Sequence, residues 1–186
     1  MDWGSWYAIG TACASLAGYG VITWITGRHF VNLGSRPPRG TVFVVSMAFV
    51  SVVAFLWALS TAPLATPVPL VLYGCSLALF IWTVRATRQM VFRPAFTDVI
   101  PDALMTCGPY RVVRHPFYVS YLLYHLGNAL ASSSVVPWIM LGLMFMLYLA
   151  AARDEETYLA QGAYAETQAA YKRRTGMFFP RIWPQG

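Results

Sequence analysis

Residues 41–60 read TVFVVSMAFVSVVAFLWALS, an apolar run without a charged side chain. A helix needs about 20 consecutive apolar residues to cross the hydrocarbon core of a bilayer. An uncharged run of this length predicts a membrane-spanning helix rather than a buried helix of a soluble domain. Because the pattern recurs along the chain, we predict an all-α, multi-pass membrane helical bundle.

Five apolar runs predict about five transmembrane helices. They cover residues 5–27, 41–60, 68–84, 117–131 and 135–152. The first run is too long for a signal peptide and has no basic segment before it, so we expect it to be a true span. Three transmembrane helices therefore occupy residues 1–84. The last two runs, 117–152, are joined by Ser132, Ser133 and Ser134 and should form a tight helical hairpin.

The composition excludes several other classes of protein. Apolar residues make up 58% of the chain and charged residues 11%, against about 45–50% and about 25% in soluble domains. Disordered chains lack this apolar content. The formal net charge is +6, and we assign it to topology and anionic lipid rather than to nucleic acid. The three cysteines show no metal-ligand spacing, so neither a metal site nor a disulfide is expected.

The basic residues favour one orientation in the membrane. They follow the first, third and fifth runs, whereas the breaks at residues 61–69 and 132–134 carry no charge. The members of the first two groups are Arg28, Arg36, Arg39, Arg85, Arg88, Arg93, Arg111 and Arg114. The positive-inside rule then predicts an outside N-terminus and a cytoplasmic C-terminus. This fits a bacterial inner membrane or an endoplasmic reticulum.

Two polar clusters stand out in the second half of the chain. One is residues 107–118, CGPYRVVRHPFY, and the other is residues 153–156, RDEE. A tight antiparallel hairpin brings the start of its first helix beside the end of its second. We therefore expect Arg114, His115 and Tyr118 to face Glu155 and Glu156. The simpler alternatives are solvated glutamates paired with Arg111 or Arg114, and a histidine that only caps a helix.

The order and spacing of these residues resemble one family. The pattern runs Leu104-x-x-x-Gly108-Pro-Tyr-Arg-x-x-Arg114-His-Pro-x-Tyr118, then Glu155-Glu156-x-x-Leu159, then Thr175-Gly176-x-x-x-Pro180. It is similar to the integral-membrane methyltransferases that use S-adenosylmethionine, namely the isoprenylcysteine carboxyl methyltransferases and the phospholipid N-methyltransferases. The resemblance covers roughly residues 83–180.

The resemblance implies a cofactor, a product and a set of site residues. The cofactor is S-adenosylmethionine, which leaves as S-adenosylhomocysteine, and residues 85–186 become the catalytic region. The implied catalytic residues are Arg114, His115, Glu155 and Glu156. The implied cofactor-binding residues are Gly108, Tyr110, His115, Pro116, Tyr118, Glu155, Glu156, Tyr171 and Arg174. The chemistry agrees, because carboxylates pair with an ammonium, cationic groups pair with a carboxylate, and tyrosine faces stabilise a sulfonium.

The chain departs from the family pattern at a few positions. Ser120 stands where the family usually has a glycine, and Ala165 and Gln168 replace a glycine and a tyrosine of the tail. These changes bear on the substrate side and on the C-terminal segment that closes the pocket.

Several functions remain open at this point. The motif favours a lipophilic or small acceptor entering from the bilayer, with an isoprenylcysteine-like carboxylate first. A phospholipid amine and a small thiol are the alternatives. A membrane scaffold or transporter subunit would be a non-enzymatic reading, and a sterol-type reductase would need a nicotinamide cofactor. The acceptor and the oligomeric state are not set by the sequence.

Overall fold

A computed structural model describes residues 3–30, 39–87, 104–160 and 165–181. Arg36, Arg88 and Arg93, which entered the orientation argument, lie outside these residues. The described chain is helical and contains no β-strand beyond two isolated bridges. Its elements are α1 (Trp3–Phe30), α2 (Arg39–Thr61), α3 (Val68–Thr87), a 3-10 turn (Gly108–Arg111), α4 (Pro116–Leu130), α5 (Val136–Ala160) and α6 (Ala165–Arg174). The prediction of an all-α bundle is confirmed.

Four of these helices, α1, α2, α3 and α5, are long and apolar enough to cross a membrane. Their outer faces expose large apolar side chains such as Phe49, Trp57, Val71 and Met146. Apolar surfaces of this extent are covered by lipid or by other proteins. The chain is therefore a membrane protein.

Helix α4 is the shortest of the five helices formed by the apolar runs. It has 15 residues and is about 22 Å long, shorter than the roughly 30 Å hydrocarbon core. It begins at Pro116, and the next residue, Phe117, packs on Phe80 and Val84 in the last two turns of α3. Helix α3 continues beyond this level to Thr87. The start of α4 is therefore recessed below the end of α3.

The two uncharged turns meet at the opposite end of the bundle. The amide of Leu64 donates to the carbonyl of Ala131 at 2.9 Å, and the amide of Ser133 donates to the carbonyl of Ala62 at 3.0 Å. The α2–α3 turn and the α4–α5 turn thus lie side by side. This confirms the predicted hairpin and leaves both polar clusters at the other end.

Helix α4 lies at the centre of the bundle and packs most extensively on α3. Gly127 permits the closest approach, since a Cβ there would lie 2.6 Å from the ring of Tyr73. The hydroxyl of Ser76 donates to the carbonyl of Ser120 at 2.7 Å. His125 is buried with its Nδ1 3.1 Å from the hydroxyl of Ser51 on α2. It is a packing residue.

Buried polar contacts join α1 and α3 to α4. The amide oxygen of Asn128 accepts hydrogen bonds from Ser15 at 3.1 Å and from Tyr73 at 2.7 Å. The hydroxyls of Ser15 and Tyr124 are 2.7 Å apart. Hydrogen bonds between helices in an apolar setting hold neighbouring helices in register. These contacts fix the far half of α4 and so set the position from which its first turn projects.

Candidate active site

The two residues just before α4 are held by the segment that follows α6. The amide of Arg114 donates to the carbonyl of Gly176 at 2.8 Å, and the amide of His115 donates to that of Met177 at 3.2 Å. Gly108, with a φ of 57°, allows the 3-10 turn to form just before this segment. Pro116 is buried at the first position of α4, where its missing N–H costs nothing. The backbone just before α4 is therefore held in place by hydrogen bonds to residues 176 and 177.

Glu156, near the end of α5, is the centre of an ionic cluster. Its Oε1 lies 2.7 Å from Nε of Arg114 and 3.2 Å from Nε2 of His115. Its Oε2 lies 2.7 Å from Nζ of Lys172 on α6. The side chain is only 7% exposed. A buried carboxylate is stable only when opposite charges and hydrogen bonds compensate its lost hydration, and three cationic groups do so here.

Two further hydrogen bonds attach α6 and the segment after it to the same cluster. Gln168, buried on α6, donates to the backbone carbonyl of Glu156 at 2.9 Å. Arg114 donates through Nη1 to the carbonyl of Thr175. Helix α5, helix α6 and the start of α4 therefore converge on the Arg114–Glu156 pair.

Glu155 has a different environment from its neighbour. Its Oε1 accepts a hydrogen bond of 2.5 Å from the Tyr118 hydroxyl, and its Oε2 lies 3.4 Å from Nδ1 of His115. Its side chain is 36% exposed, and of the cations in the cluster only His115 approaches it. Glu155 therefore keeps an accessible negative charge, while the charge of Glu156 is internally compensated.

His115 lies between the two glutamates with one ring nitrogen facing each. Burial alone would lower the pKa of this histidine, but hydrogen bonds and charge from Glu155 and Glu156 outweigh it. The net effect raises the pKa above its ordinary value of 6.5. The imidazolium form, which donates to both carboxylates, is therefore stabilised relative to that of an ordinary histidine.

Aromatic rings form a column beside the glutamates. The rings of His115 and Tyr118 stack with centroids 5.5 Å apart, and those of Tyr118 and Tyr148 stack at 5.2 Å. Phe178, from the segment after α6, packs edge-on against His115 at 6.1 Å and against Phe145 at 5.9 Å. The side of the cluster that faces the bundle is thus an aromatic wall.

Tyr110 and Tyr171 make a second connection to α6. The hydroxyl of Tyr171 donates to the backbone carbonyl of Tyr110 at 2.6 Å. Burial raises the pKa of the Tyr171 phenol above its ordinary value, so it remains a donor at neutral pH. This bond keeps α6 close to the 3-10 turn.

The structure brings most of the predicted residues together. Arg114, His115, Tyr118, Glu155 and Glu156 are in direct contact. Phe117, the residue before Tyr118, packs against Phe80 with ring centroids 5.6 Å apart. Arg174 is exposed near the end of α6, and the cation that reaches Glu156 from this helix is Lys172.

Some residues of the cluster were not predicted from the sequence. They are Lys172, Gln168, Tyr148, Phe178 and the carbonyl of Thr175. Helical spacing contains part of the signal, because Gln168 and Lys172 are four residues apart and share one face of α6. Tyr148 lies seven residues before Glu155 and shares a face of α5 with it. The backbone carbonyl of Thr175 leaves no trace in the sequence.

Comparison with known proteins agrees with this site. A family model described as phospholipid methyltransferase matches residues 63–167. The chain belongs to the phospholipid methyltransferase family. The matched part includes α3, the 3-10 turn, α4 and the two glutamates of α5. The resemblance to the membrane methyltransferases is therefore confirmed.

Two curated relatives carry names that refer to metals. The cobalt-zinc-cadmium resistance protein CzcN of Cupriavidus metallidurans is 43% identical over 82 residues, which are 44% of this chain and 37% of that protein. The nickel-cobalt-cadmium resistance protein NccN of Alcaligenes xylosoxydans xylosoxydans is 35% identical over 79 residues, 42% of this chain and 37% of that protein. The matches thus span little more than a third of each relative. Among the residues that the structure describes, no group of three or more His, Cys, Asp or Glu side chains could hold a metal ion.

The unequal environments of the family's two glutamates predict unequal losses of stability. Glu156→Gln leaves Arg114 and Lys172 without their counter-charge and should cost about 2–4 kcal/mol. Glu155→Gln should cost about 1 kcal/mol or less, because this side chain is partly exposed. Thermal unfolding of both variants in detergent, without ligand, measures the difference. Equal shifts in Tm would contradict the central role of Glu156.

The raised pKa of His115 predicts a pH-dependent contribution to stability. The pKa of His115 in the folded protein lies above the ordinary 6.5, so protonated His115 stabilises the fold. This stabilisation is fully present below pH 6.5 and is lost as pH rises through the folded pKa. The stability advantage of the natural protein over His115→Gln should therefore shrink as pH rises from 6.5 through the folded pKa, by about 1.4 kcal/mol per unit of pKa difference. Tm values across this range test it, and an advantage that is constant with pH would refute it.

Proposed function

We propose that this protein transfers a methyl group from S-adenosylmethionine to an acceptor at the membrane face. One observation carries the proposal: the accessible carboxylate of Glu155 lies beside an aromatic column and next to a buried, charge-compensated ionic cluster. Membership of the methyltransferase family supports the same reaction.

The residues present fit the chemical groups of the cofactor. S-adenosylmethionine bears an ammonium, a carboxylate and a sulfonium, and it supplies an electrophilic methyl group. Glu155 offers a negative charge for the ammonium. The faces of Tyr118 and its stacked neighbours offer an electron-rich surface for the sulfonium, an interaction worth about 0.5–2 kcal/mol. Cationic groups around Glu156 are available for the carboxylate.

We propose different roles for the two glutamates. Glu155 binds the cofactor, because its charge is accessible and only partly compensated. Glu156 is a positioning residue, because both of its oxygens are occupied by Arg114, His115 and Lys172. In this arrangement Glu156 fixes the imidazole, and the imidazole in turn orients Glu155 and the ring of Tyr118.

The acceptor determines whether a base is needed. A carboxylate acceptor attacks the methyl group without losing a proton, whereas an amine or a thiol must release one. Glu155, or His115 in its neutral form, could take this proton within the cluster. We propose a lipophilic acceptor, with an isoprenylcysteine-like carboxylate first by motif. The family description adds a phospholipid amine as the second candidate, and a small thiol is the third.

The level at which α4 begins supports entry of a lipophilic acceptor from the bilayer. Helix α4 starts below the end of α3, so the first turn of α4 lies within the depth of the bundle. An acceptor held in lipid would reach this level without leaving the membrane. A site with little water also favours the reaction of an anion with a sulfonium, since the two charges disappear together.

Binding of S-adenosylhomocysteine is the first test of this function. The purified protein in detergent should bind it, and Glu155→Gln should weaken binding by about tenfold or more, because a charge-assisted hydrogen bond is lost. Glu166→Gln removes an exposed carboxylate from α6 and serves as the control with unchanged binding. Calorimetry measures all three affinities.

Absence of binding by the well-folded natural protein would refute the methyltransferase proposal. If binding is found, radiolabelled S-adenosylmethionine with a panel of prenylcysteines, phospholipids and thiols distinguishes the three acceptor classes. A labelled amine product would exclude the carboxylate assignment.

We propose that the site faces the cytoplasm, with the N-terminus outside. The charged residues of the site end, such as Arg85, Arg111 and Lys172, contrast with the two uncharged turns at the opposite end, as the positive-inside rule requires. The membrane would be a bacterial inner membrane or the endoplasmic reticulum. A reporter fused to the C-terminus should be active only in the cytoplasm, and activity only on the outer face would overturn this orientation.

A further inference from the structure

Lys172 differs from the other cations of the ionic cluster in its accessibility. Its Nζ lies 2.7 Å from Oε2 of Glu156, yet the side chain is 41% exposed. An ammonium group carries three N–H donors, and the bond to Glu156 uses one of them. Lys172 is therefore anchored at the cluster and still able to bind a second anion from solvent.

Arg114 has much less freedom to bind a ligand. Its side chain is 11% exposed. Its Nε is bonded to Glu156 and its Nη1 to the carbonyl of Thr175. Arg114 is thus committed to holding α5 and the segment after α6 together.

The backbone around Lys172 is fixed from both sides. One turn earlier, Gln168 is bonded to the carbonyl of Glu156 at 2.9 Å. Nη1 of Arg181 donates to the carbonyl of Lys172 at 2.6 Å and to that of Arg173 at 3.1 Å. These bonds satisfy carbonyls at the end of α6 that would otherwise lack partners. The position of Lys172 on the site is therefore built into the fold.

The cluster presents an accessible anion and an accessible cation at its two ends. Glu155 touches His115, His115 touches Glu156, and Glu156 touches Lys172. Glu155 and Lys172 are the most exposed members of this series. Such an arrangement suits a zwitterion, with its ammonium at one end and its carboxylate at the other.

We infer that Lys172 binds the carboxylate of the amino-acid end of the cofactor, whereas the family resemblance implied Arg174 as the cofactor-binding cation of this segment. This inference rests on the proposed function, because it takes the amino-acid end of the cofactor as the zwitterion. It adds a specificity: Lys172 makes the site select ligands that retain the carboxylate.

Two ligands isolate this interaction. One is S-adenosylhomocysteine, and the other is its decarboxylated analogue, which keeps the adenosine, the thioether and the amine. For the full-length protein in detergent, Lys172→Met should weaken binding of S-adenosylhomocysteine by about tenfold. The same substitution should leave binding of the decarboxylated analogue within about twofold, which also shows that the variant site is folded. Lys172→Arg should recover most of the loss.

Neighbouring arginines provide matched controls. Arg173→Met removes one exposed positive charge from the same helix and should leave both affinities unchanged, which excludes a general effect of charge. A loss specific to the carboxylate-bearing ligand in Arg174→Met, rather than in Lys172→Met, would overturn the inference in favour of Arg174. An equal loss for both ligands in Lys172→Met would also overturn it, since Lys172 would then act only by holding Glu156.

The outcome for the natural protein separates this inference from the function on which it rests. Suppose that the natural protein binds S-adenosylhomocysteine and that Lys172→Met binds both ligands with the same affinities as the natural protein. Lys172 then does not bind the carboxylate, while the methyltransferase proposal stands. If the natural protein binds neither ligand, the proposed function itself fails.

Discussion

The buried carboxylate of Glu156 is the constraint on which the site depends. Removing a carboxylate from water is costly unless it is surrounded by opposite charge. Here the compensating groups come from two separate parts of the chain, Arg114 and His115 before α4 and Lys172 on α6. The ionic cluster can form only when these parts and α5 are in place together. The same contacts that stabilise the charge therefore assemble the site.

The short length of α4 gives this cluster its place in the bundle. The far end of α4 is held through Asn128, which accepts hydrogen bonds from Ser15 and Tyr73, and by the pairing of the two uncharged turns. Because that end is fixed and the helix has only 15 residues, its first turn stops below the end of α3. The 3-10 turn before α4 then packs beside Ala86 near the end of α3, and His115 lies between Glu155 and Glu156 of α5.

Much of this arrangement could be predicted from the sequence. Uncharged runs gave the long helices, and the tight turn at residues 132–134 implied that His115 meets Glu155 and Glu156. The length of α4 matches that of its apolar run, residues 117–131, but apolar composition does not reveal how deeply its first turn packs in the bundle. Lys172 was missed because its selection over Arg174 depends on how α6 rotates against α5, which the Gln168 bond to the Glu156 carbonyl determines.

The family match ends before the last residues of the site. The match ends at residue 167, before the groups of α6 and its following segment that complete the cluster. Residues 63–167, the part that the family model matches, hold both glutamates, His115 and Arg114. The cation at Oε2 of Glu156 and the ring of Phe178 lie beyond this match. Properties that depend on this C-terminal part must therefore be read from its contacts rather than from the family match.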